Sequence, residues 1–320
     1  MVGHNIIVIG ASAGGVRALE VLVAGLPHDL QAAVFIVLHI SPSGEALLAS
    51  ILARRSRVDC STAVDGEPIR MGEVRVAPPD HHLILEQGRM IVTHGPKENR
   101  SRPSIDTLFR SAAAAYGSRV IGVVLTGYLD DGTAGLWSIK RRGGIAVVQD
   151  PNDAEYPDMP RNASGGVTVD YTSSLQDMAS LLTRLTAAPS PDSEQAVEDE
   201  QEVPGVVYIC PDCNGPLREV KIGNEKLVRF RCLVGHRFSM MTLLDAHAAT
   251  RESTLWAAVV ALEHQALLAE RAAKHATSRN ELDAAAGLAG EAQSAKQQAQ
   301  KLRDLLLSKS PTGADISAEQ

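Results

Sequence analysis

A doubly wound, mostly parallel α/β fold of the Rossmann-like class is what this sequence predicts, and three observations predict it. Short runs rich in Ile and Val (NIIVIG, AAVFIVLHI, RVIGVVLTG, IAVVQD) are too brief for helices and apolar throughout, as strands buried on both faces are. Helical stretches of amphipathic spacing separate them, the alternation that builds parallel sheets. The 320 residues and 44% apolar content suffice for a sizeable core with room for further modules.

Taken in order, NIIVIG ends in small residues and leads into VRALEVLVAGL, which predicts a strand, a turn and a helix. AAVFIVLHI is a second buried strand closing at His39, and GEALLASILARR the helix after it. Short strands and turns follow in MGEVRVAPPD and HLILEQGRMIVTH. SIDTLFRSAAAAYG then reads as helix, RVIGVVLTG as strand, TAGLWSIKRRGG as a helix ending on glycine, and IAVVQD as strand. These elements define a catalytic domain over 1–186. APSPDSEQAVEDEQEVP has nothing to bury, so 187–204 is expected to be a flexible linker. A small cysteine-bearing module over 205–239 precedes a region rich in Ala, Leu, Glu and Gln. There Leu255, Val259 and Leu262 recur at helical spacing and SRNELDAAAG offers a break, so 240–307 is expected to be a hairpin of two helices. The tail 308–320 is expected to be disordered.

The formal net charge of −7 gives no basic field to attract nucleic acid or an anionic membrane. A secretory signal pattern is lacking at the N-terminus, and no run of apolar residues is long enough to span a bilayer, so a cytoplasmic protein without membrane insertion is expected. Cys60 stands alone and reads as a buried core thiol. His81 and His82 show no evident partner and read as surface residues.

Chemistry concentrates at three strand ends, where ligands gather in doubly wound sheets. Ser12 follows the first strand, His39 closes the second, and Asp130 with Asp131 follows VIGVVLTG in GYLDDG. Ser, His and Asp are the inventory of a nucleophile, a general base and the carboxylate that orients it. GASAGG also invites a phosphate-binding reading, but Ser12 stands where G-x-G-x-x-G has its second glycine, and His39 stands where a ribose-binding acid belongs. Gly10 to Gly14 fits G-x-S-x-G, a strand-to-helix turn that presents a serine hydroxyl. Taken singly, Ser12 also fits a helix cap, His39 a strand-end histidine, and Asp131 before Gly132 ordinary turn chemistry. Arg102, Pro103, Ser104 and Asp106 precede a helix, where capping is the expected role.

The runs IGASAGG, IVLHISP, RPSIDTLFRSAA, GVVLTGYLDDGTAGL and QDPNDAEYPDMPRNA, in this order, closely resemble the methylesterase domain of CheB-type chemotaxis proteins, from residue 5 to about 185. The resemblance implies a protein-glutamate methylesterase acting on the cytoplasmic domains of methylated chemoreceptors, some members also deamidating receptor glutamines. No cofactor is implied for catalysis. It makes Ser12 the nucleophile, His39 the base and Asp131 the orienting carboxylate. Backbone N–H groups of Ala13 and Tyr128 are expected to hold the oxyanion, with Met159 and Arg161 lining the substrate cleft. Relatives carry a TGMGxDG loop where this chain reads TGYLDDG, so Leu129 replaces a glycine. CheB proteins join the esterase to an N-terminal receiver domain, whereas here the first strand begins at residue 5. The expectation is therefore a stand-alone esterase, with regulation from a separate receiver or methyltransferase protein, from its own zinc module and tail, or not at all. A non-catalytic receptor-binding or scaffold protein on the same fold is the competing reading, and the altered loop is the point in its favour.

Cys210 and Cys213 form C-x2-C, and Cys232 and His236 form C-x3-H. Two short knuckles with these donors suit a closed tetrahedral zinc site, which supports folding and leaves no open position for catalysis. LREVKIGNEKLVRF between them reads as a hairpin with GN at its turn. A zinc-ribbon-like docking or scaffold module is expected.

Overall fold

The computed structural model describes residues 3–41, 46–190, 200–222 and 227–308, with the backbone alone for 200, 201, 204–207, 222 and 227. Of the expected tail 308–320, Ser308 closes a helix and 309–320 lie outside the described residues, as do half of the expected linker (191–199) and the GN turn.

The strands are β1 (Ile6–Ala11), β2 (Ala33–Leu38), β3 (Asp59–Thr62), β4 (Glu73–Val76), β5 (His82–Glu86), β6 (Arg89–Thr93), β7 (Val120–Val124), β8 (Ile145–Gln149), β9 (Tyr171–Ser173), β10 (Glu200–Ile209), β11 (Pro216–Ile222), β12 (Leu227–Cys232) and β13 (Arg237–Ser239). The helices are α1 (Gly15–Ala24), α2 (Leu48–Ala53), α3 (Ile105–Tyr116), α4 (Thr133–Arg141), α5 (Asp158–Gly166), α6 (Leu175–Thr186), α7 (Met240–Ser278) and α8 (Leu282–Ser308).

Seven strands form one sheet in the order β3-β4-β2-β1-β7-β8-β9, and every neighbouring pair is parallel. Every side chain of β1, β2 and β7 is buried. Side chains alternate across a strand, so those of β1 divide between two cores. Ile7 and Ile9 join Leu19, Leu22, Leu182 and Leu185 of α1 and α6. Ile6 and Val8 join Leu108, Phe109 and Leu136 of α3 and α4. Each fully buried Ile or Leu contributes about 2 kcal/mol of transfer free energy, enough in sum to hold the sheet between its two helical layers. The antiparallel hairpin of β5 and β6 packs against the second core through Leu83, Leu85 and Met90.

β10 begins at Glu200, inside the expected linker: pairing with β11 satisfies its backbone even where the composition is polar. β10-β11-β12-β13 form an antiparallel sheet. The sequence separates 205–239 from the catalytic domain, but the described residues of both fall in one compact unit that runs to Leu243. His82 departs from its expected exposure. It is buried, with Nε2 on the Pro96 carbonyl at 2.9 Å and Nδ1 accepting from the Ser104 amide at 3.2 Å. Cys60 is buried as expected.

Among the described residues, 244–308 form a second unit. Its helices break at Asn280, whose φ of 61° ends α7, and they run antiparallel, with Lys296 on Glu270 at 2.5 Å and Arg303 on Glu263. Ala266, Ala269, Ala292, Ala295 and Ala299 are buried there; small side chains permit close helix approach. No helix among the described residues is long and apolar enough to cross a membrane.

Candidate active site

β2, β1 and β7 lie side by side, and their register brings Ala11 beside Leu38 and Gly10 beside Val124. Residues immediately after these ends therefore meet on one edge of the sheet, at the point where the chain's connections reverse direction. Backbone bonds extend the register past the strands: His39 N–H donates to Ala11 O at 3.1 Å, Ser12 N–H to Thr126 O at 3.0 Å, and Leu125 N–H to Gly10 O at 2.9 Å.

Ser12 occupies the turn into α1 and is partly exposed. Gly14 follows with φ at 72°, a left-handed conformation that glycine adopts without strain, and it is Gly14 that occupies the cap position of the helix. No side chain caps α1, so the capping role that Ser12 fits by sequence is not the one it takes. Gly127 closes over Ser12 from the β7 loop: a Cβ on Gly127 would lie 2.6 Å from Ser12 Cβ and 2.2 Å from Met159 Sδ. Met159 is thus fully buried beneath the Ser12 turn, a support rather than the cleft lining expected of it. Arg161 is exposed on α5. Tyr128 is exposed too, its ring edge-on to Tyr156 at 4.7 Å. Among the described residues, neither the Ala13 nor the Tyr128 backbone N–H has a hydrogen-bond acceptor. Leu129 keeps a φ of 61°, the conformation that suits the glycine it replaces, and its carbonyl accepts from Asn162 Nδ2 at 2.7 Å. Such a side chain in the left-handed region costs about 1 to 2 kcal/mol, so the loop is retained against its sequence.

Asp131 is buried and meets His39, Oδ2 to Nε2, at 2.7 Å. Oδ2 also accepts from the Ile105 N–H at 2.8 Å. Oδ1 accepts from Asn99 Nδ2 at 2.8 Å, Ser104 Oγ at 3.1 Å, and the N–H groups of Asp106 at 3.1 Å and Gly132 at 3.0 Å. Burial raises the Asp131 carboxyl, but the hydrogen bond and charge of His39, with Asn99 and Ile105 after them, pull it down to about 2. The carboxylate is therefore ionised at neutral pH and fixes the ring. With Nε2–H donated to Asp131, Nδ1 is the basic nitrogen left over. Among the described residues no hydrogen bond joins the Ser12 hydroxyl to this ring, a gap common where substrate is not bound. Asp130 points elsewhere, its Oδ1 accepting from Ser239 Oγ at 2.7 Å.

Ser104 and Asp106 were expected to cap α3. Neither does: the Ser104 side chain makes no cap bond and serves Asp131 instead, and it is the Asp131 carboxylate that takes the first two N–H groups of α3. Asp106 is buried, accepting from Asn99 Nδ2 at 2.8 Å and from the N–H groups of Gly132 at 3.2 Å and Gly135 at 2.5 Å. Its position had a sequence signal, since Asp106, Phe109 and Ala113 share one helical face and an acid on an apolar stripe is rarely idle.

Cys210, Cys213, Cys232 and His236 converge, their ligand atoms all within 4.8 Å of one another. Cys213 Sγ lies 3.7 Å from Cys232 Sγ, and His236 Nδ1 lies 3.7 Å from Cys210 Sγ and 3.5 Å from Cys232 Sγ. A tetrahedron with metal–sulfur bonds of about 2.3 Å has edges of about 3.7 Å, so the donor set fits zinc in kind and in size.

Residues 7–182 match the family model for CheB methylesterase. A protein of Leptospira interrogans, provisionally named a protein-glutamate methylesterase/protein-glutamine glutaminase, is 42% identical over 183 residues, which cover 57% of this chain and 95% of the relative. One from Anaeromyxobacter dehalogenans, protein-glutamate methylesterase/protein-glutamine glutaminase 2, is 40% identical over 57% of this chain and 53% of its own length. The crystal structure of the Thermotoga maritima CheB methylesterase catalytic domain superposes with a TM-score of 0.56 at 32% identity, covering 58% of this chain and all of that one.

Proposed function

The chain belongs to the CheB methylesterase family, and from that premise we propose how its residues hydrolyse a glutamyl methyl ester. It is a protein-glutamate methylesterase, a carboxylic ester hydrolase whose substrates are methylated glutamates of chemoreceptor cytoplasmic domains; deamidation of receptor glutamines is a second activity that the relatives' names carry. The observation that supports the assignment of roles best is the 2.7 Å contact between a buried, ionised Asp131 and His39, one strand away from Ser12.

Nδ1 of His39 takes the Ser12 proton as the hydroxyl oxygen attacks the ester carbonyl, and the tetrahedral oxyanion is held by the uncommitted N–H groups of Ala13 and Tyr128. His39 returns the proton to the departing methanol. Water, deprotonated by the same nitrogen, then cleaves the glutamyl–Ser12 ester and frees the hydroxyl. Asp131 stabilises the imidazolium at each stage without being protonated itself. Arg161 and Tyr128, exposed beside this edge, remain candidates for contacts with the receptor. The test is methanol release by the full chain from methylated receptor fragments; no Ser12-dependent release from any fragment tried overturns the assignment.

Cys210, Cys213, Cys232 and His236 hold a structural zinc in this proposal, their four donors closing the coordination and leaving no catalytic step to the metal. Cys213→Ser is expected to lower zinc content from one per chain to near zero and to lower the unfolding temperature. Full-length wild type that purifies folded and metal-free refutes the site.

A further inference from the structure

Asp131 is braced by residues of its own domain, yet those residues are themselves held from outside it. We propose that the cysteine-bearing module is a working support of the esterase: Arg229, with Ser239 and Thr242, fixes Asn99 and Asp106, and through them Asp131, which makes Arg229 a positioning residue for ester hydrolysis. The inference rests on the esterase assignment above.

The contacts form two converging paths. In the first, Arg229 on β12 is buried between two acids, with Nη1 on Glu98 Oε1 at 2.5 Å and Nη2 on Asp106 Oδ2. Glu98 is also held by Arg110, at 2.9 and 2.7 Å, and by Thr107 at 3.1 Å. In the second, the end of the module and the first turn of α7 grip Asn99 directly. Asn99 Oδ1 accepts from the Ser239 N–H at 2.9 Å and from Thr242 Oγ1 at 3.1 Å, while the Asn99 N–H donates to Arg237 O at 2.8 Å. Both paths end on the Asn99 side-chain nitrogen, which divides its hydrogens between Asp106 and Asp131, at 2.8 Å each. An amide whose oxygen is claimed by one element and whose nitrogen is claimed by two carboxylates has a single orientation available.

Arg229 matters to this arrangement through charge. Glu98, Asp106 and Asp131 are three acids buried together. Burial pushes Asp106 up, Arg229 opposes that, and the neighbouring Asp131 and Glu98 charges leave it at about 7. Arg229 is itself held in its charged form by Asp106 and then Glu98, against burial. Without the guanidinium, the charge that opposes burial at Asp106 is gone and the carboxyl is driven further toward its protonated form. It then offers a donor where Asn99 needs an acceptor, and the amide that braces Asp131 loses one of its two anchors. A buried ion pair seldom adds net stability over apolar packing, so the place of Arg229 between these acids is better accounted for by what it orients. The metal-ligand end of the module joins the same line: Arg237, next to His236, forms a parallel bridge with Glu98.

The experiment uses the full chain and compares wild type, Arg229→Lys and Arg229→Met. The substrates are a methylated receptor fragment and, as a receptor-independent ester probe, p-nitrophenyl acetate. In folded Arg229→Met, kcat is expected to fall about 10- to 100-fold, as for a catalytic group displaced by a fraction of an ångström to one ångström. KM should stay within twofold, because Arg229 is buried away from the substrate. Arg229→Lys, which keeps the charge, restores part of the loss. The low-field imidazole proton shared by His39 and Asp131 should shift or broaden in the NMR spectrum of Arg229→Met and return in the lysine variant, a readout that general destabilisation does not move. Should Arg229→Met not fold, Thr242→Val removes the hydroxyl that donates to Asn99 Oδ1 without leaving a buried charge, and its kcat is expected to fall severalfold. A folded variant with wild-type kcat and an unmoved proton signal overturns the inference. Wild type lacking any Ser12-dependent turnover is instead the failure of the esterase assignment, and it takes this inference with it.

Discussion

Ser12→Ala is expected to lower methanol release by at least about 10,000-fold while leaving stability within about 0.5 kcal/mol of wild type. The two parts of this expectation have separate causes. The hydroxyl is the atom that attacks, and what survives its loss is the modest acceleration that positioning and oxyanion donors give to water. Stability is spared because the Ser12 hydroxyl caps no helix and has no hydrogen bond among the described residues, so alanine in its place leaves no buried partner unsatisfied. Calorimetry beside a methanol assay separates the two. Retained turnover in Ser12→Ala removes the nucleophile from the scheme, and a large fall in stability shows that the side chain is structural.

Asp131→Asn is expected to lower kcat by about 10,000-fold as well, and for a different reason. Asparagine presents an amide nitrogen to a pocket whose six contacts are all donors to the carboxylate. Either His39 is left facing a donor and turns to the wrong tautomer, or the amide faces Asn99, Ser104 and two backbone N–H groups. Loss of two or more of these buried bonds costs about 2 to 4 kcal/mol, so this variant, unlike Ser12→Ala, is also less stable. The pH dependence of stability checks the electrostatics. Asp131 has an ordinary value of 3.8 and is held at about 2 in the folded state, so its contribution is complete above about 4 and is lost as pH falls toward 2. Wild type should therefore lose stability over that window more steeply than Asp131→Asn. Parallel acid-unfolding curves for the two proteins refute the assignment of a depressed Asp131.

The parts of the site legible in the sequence are those fixed by strand ends. Ile6 to Gly10, Ala33 to Leu38 and Val120 to Val124 could only be buried parallel strands, and once they are neighbours, Ser12, His39 and the DDG turn must meet. The Cys/His knuckles were legible for a similar reason, since spacing alone brings the two donors of each short segment, Cys210 with Cys213 and Cys232 with His236, to one point. What was not legible depends on contacts between segments far apart in the chain. Arg229 lies in LVRFRC, where alternation places Phe230 and Cys232 on the buried face and marks its own side for solvent. Docking buries that side too. Asn99 has no sequence signal at all, because its role is set by Ser239 and Thr242 on one side and by two acids on the other. Met159, expected to line the cleft, is instead fully buried, because its amide bonds Gly127 O at 2.9 Å and holds the residue under the nucleophile turn.

The separation of Arg229 from its partners bears on how the protein comes into being. Glu98 is 131 residues upstream of Arg229, and Asp106 is 123. Domains begin to assemble as the chain leaves the ribosome, and contacts of long sequence separation close late. The β1-β2-β7 edge that carries Ser12, His39 and Asp131 is therefore synthesised well before the cation that completes its surroundings. During that interval the nascent catalytic fold holds a cluster of acids with Arg229 still to come. Esterase competence is then gained only after residue 229 has been added, so that a chain interrupted before it carries the triad without its full support.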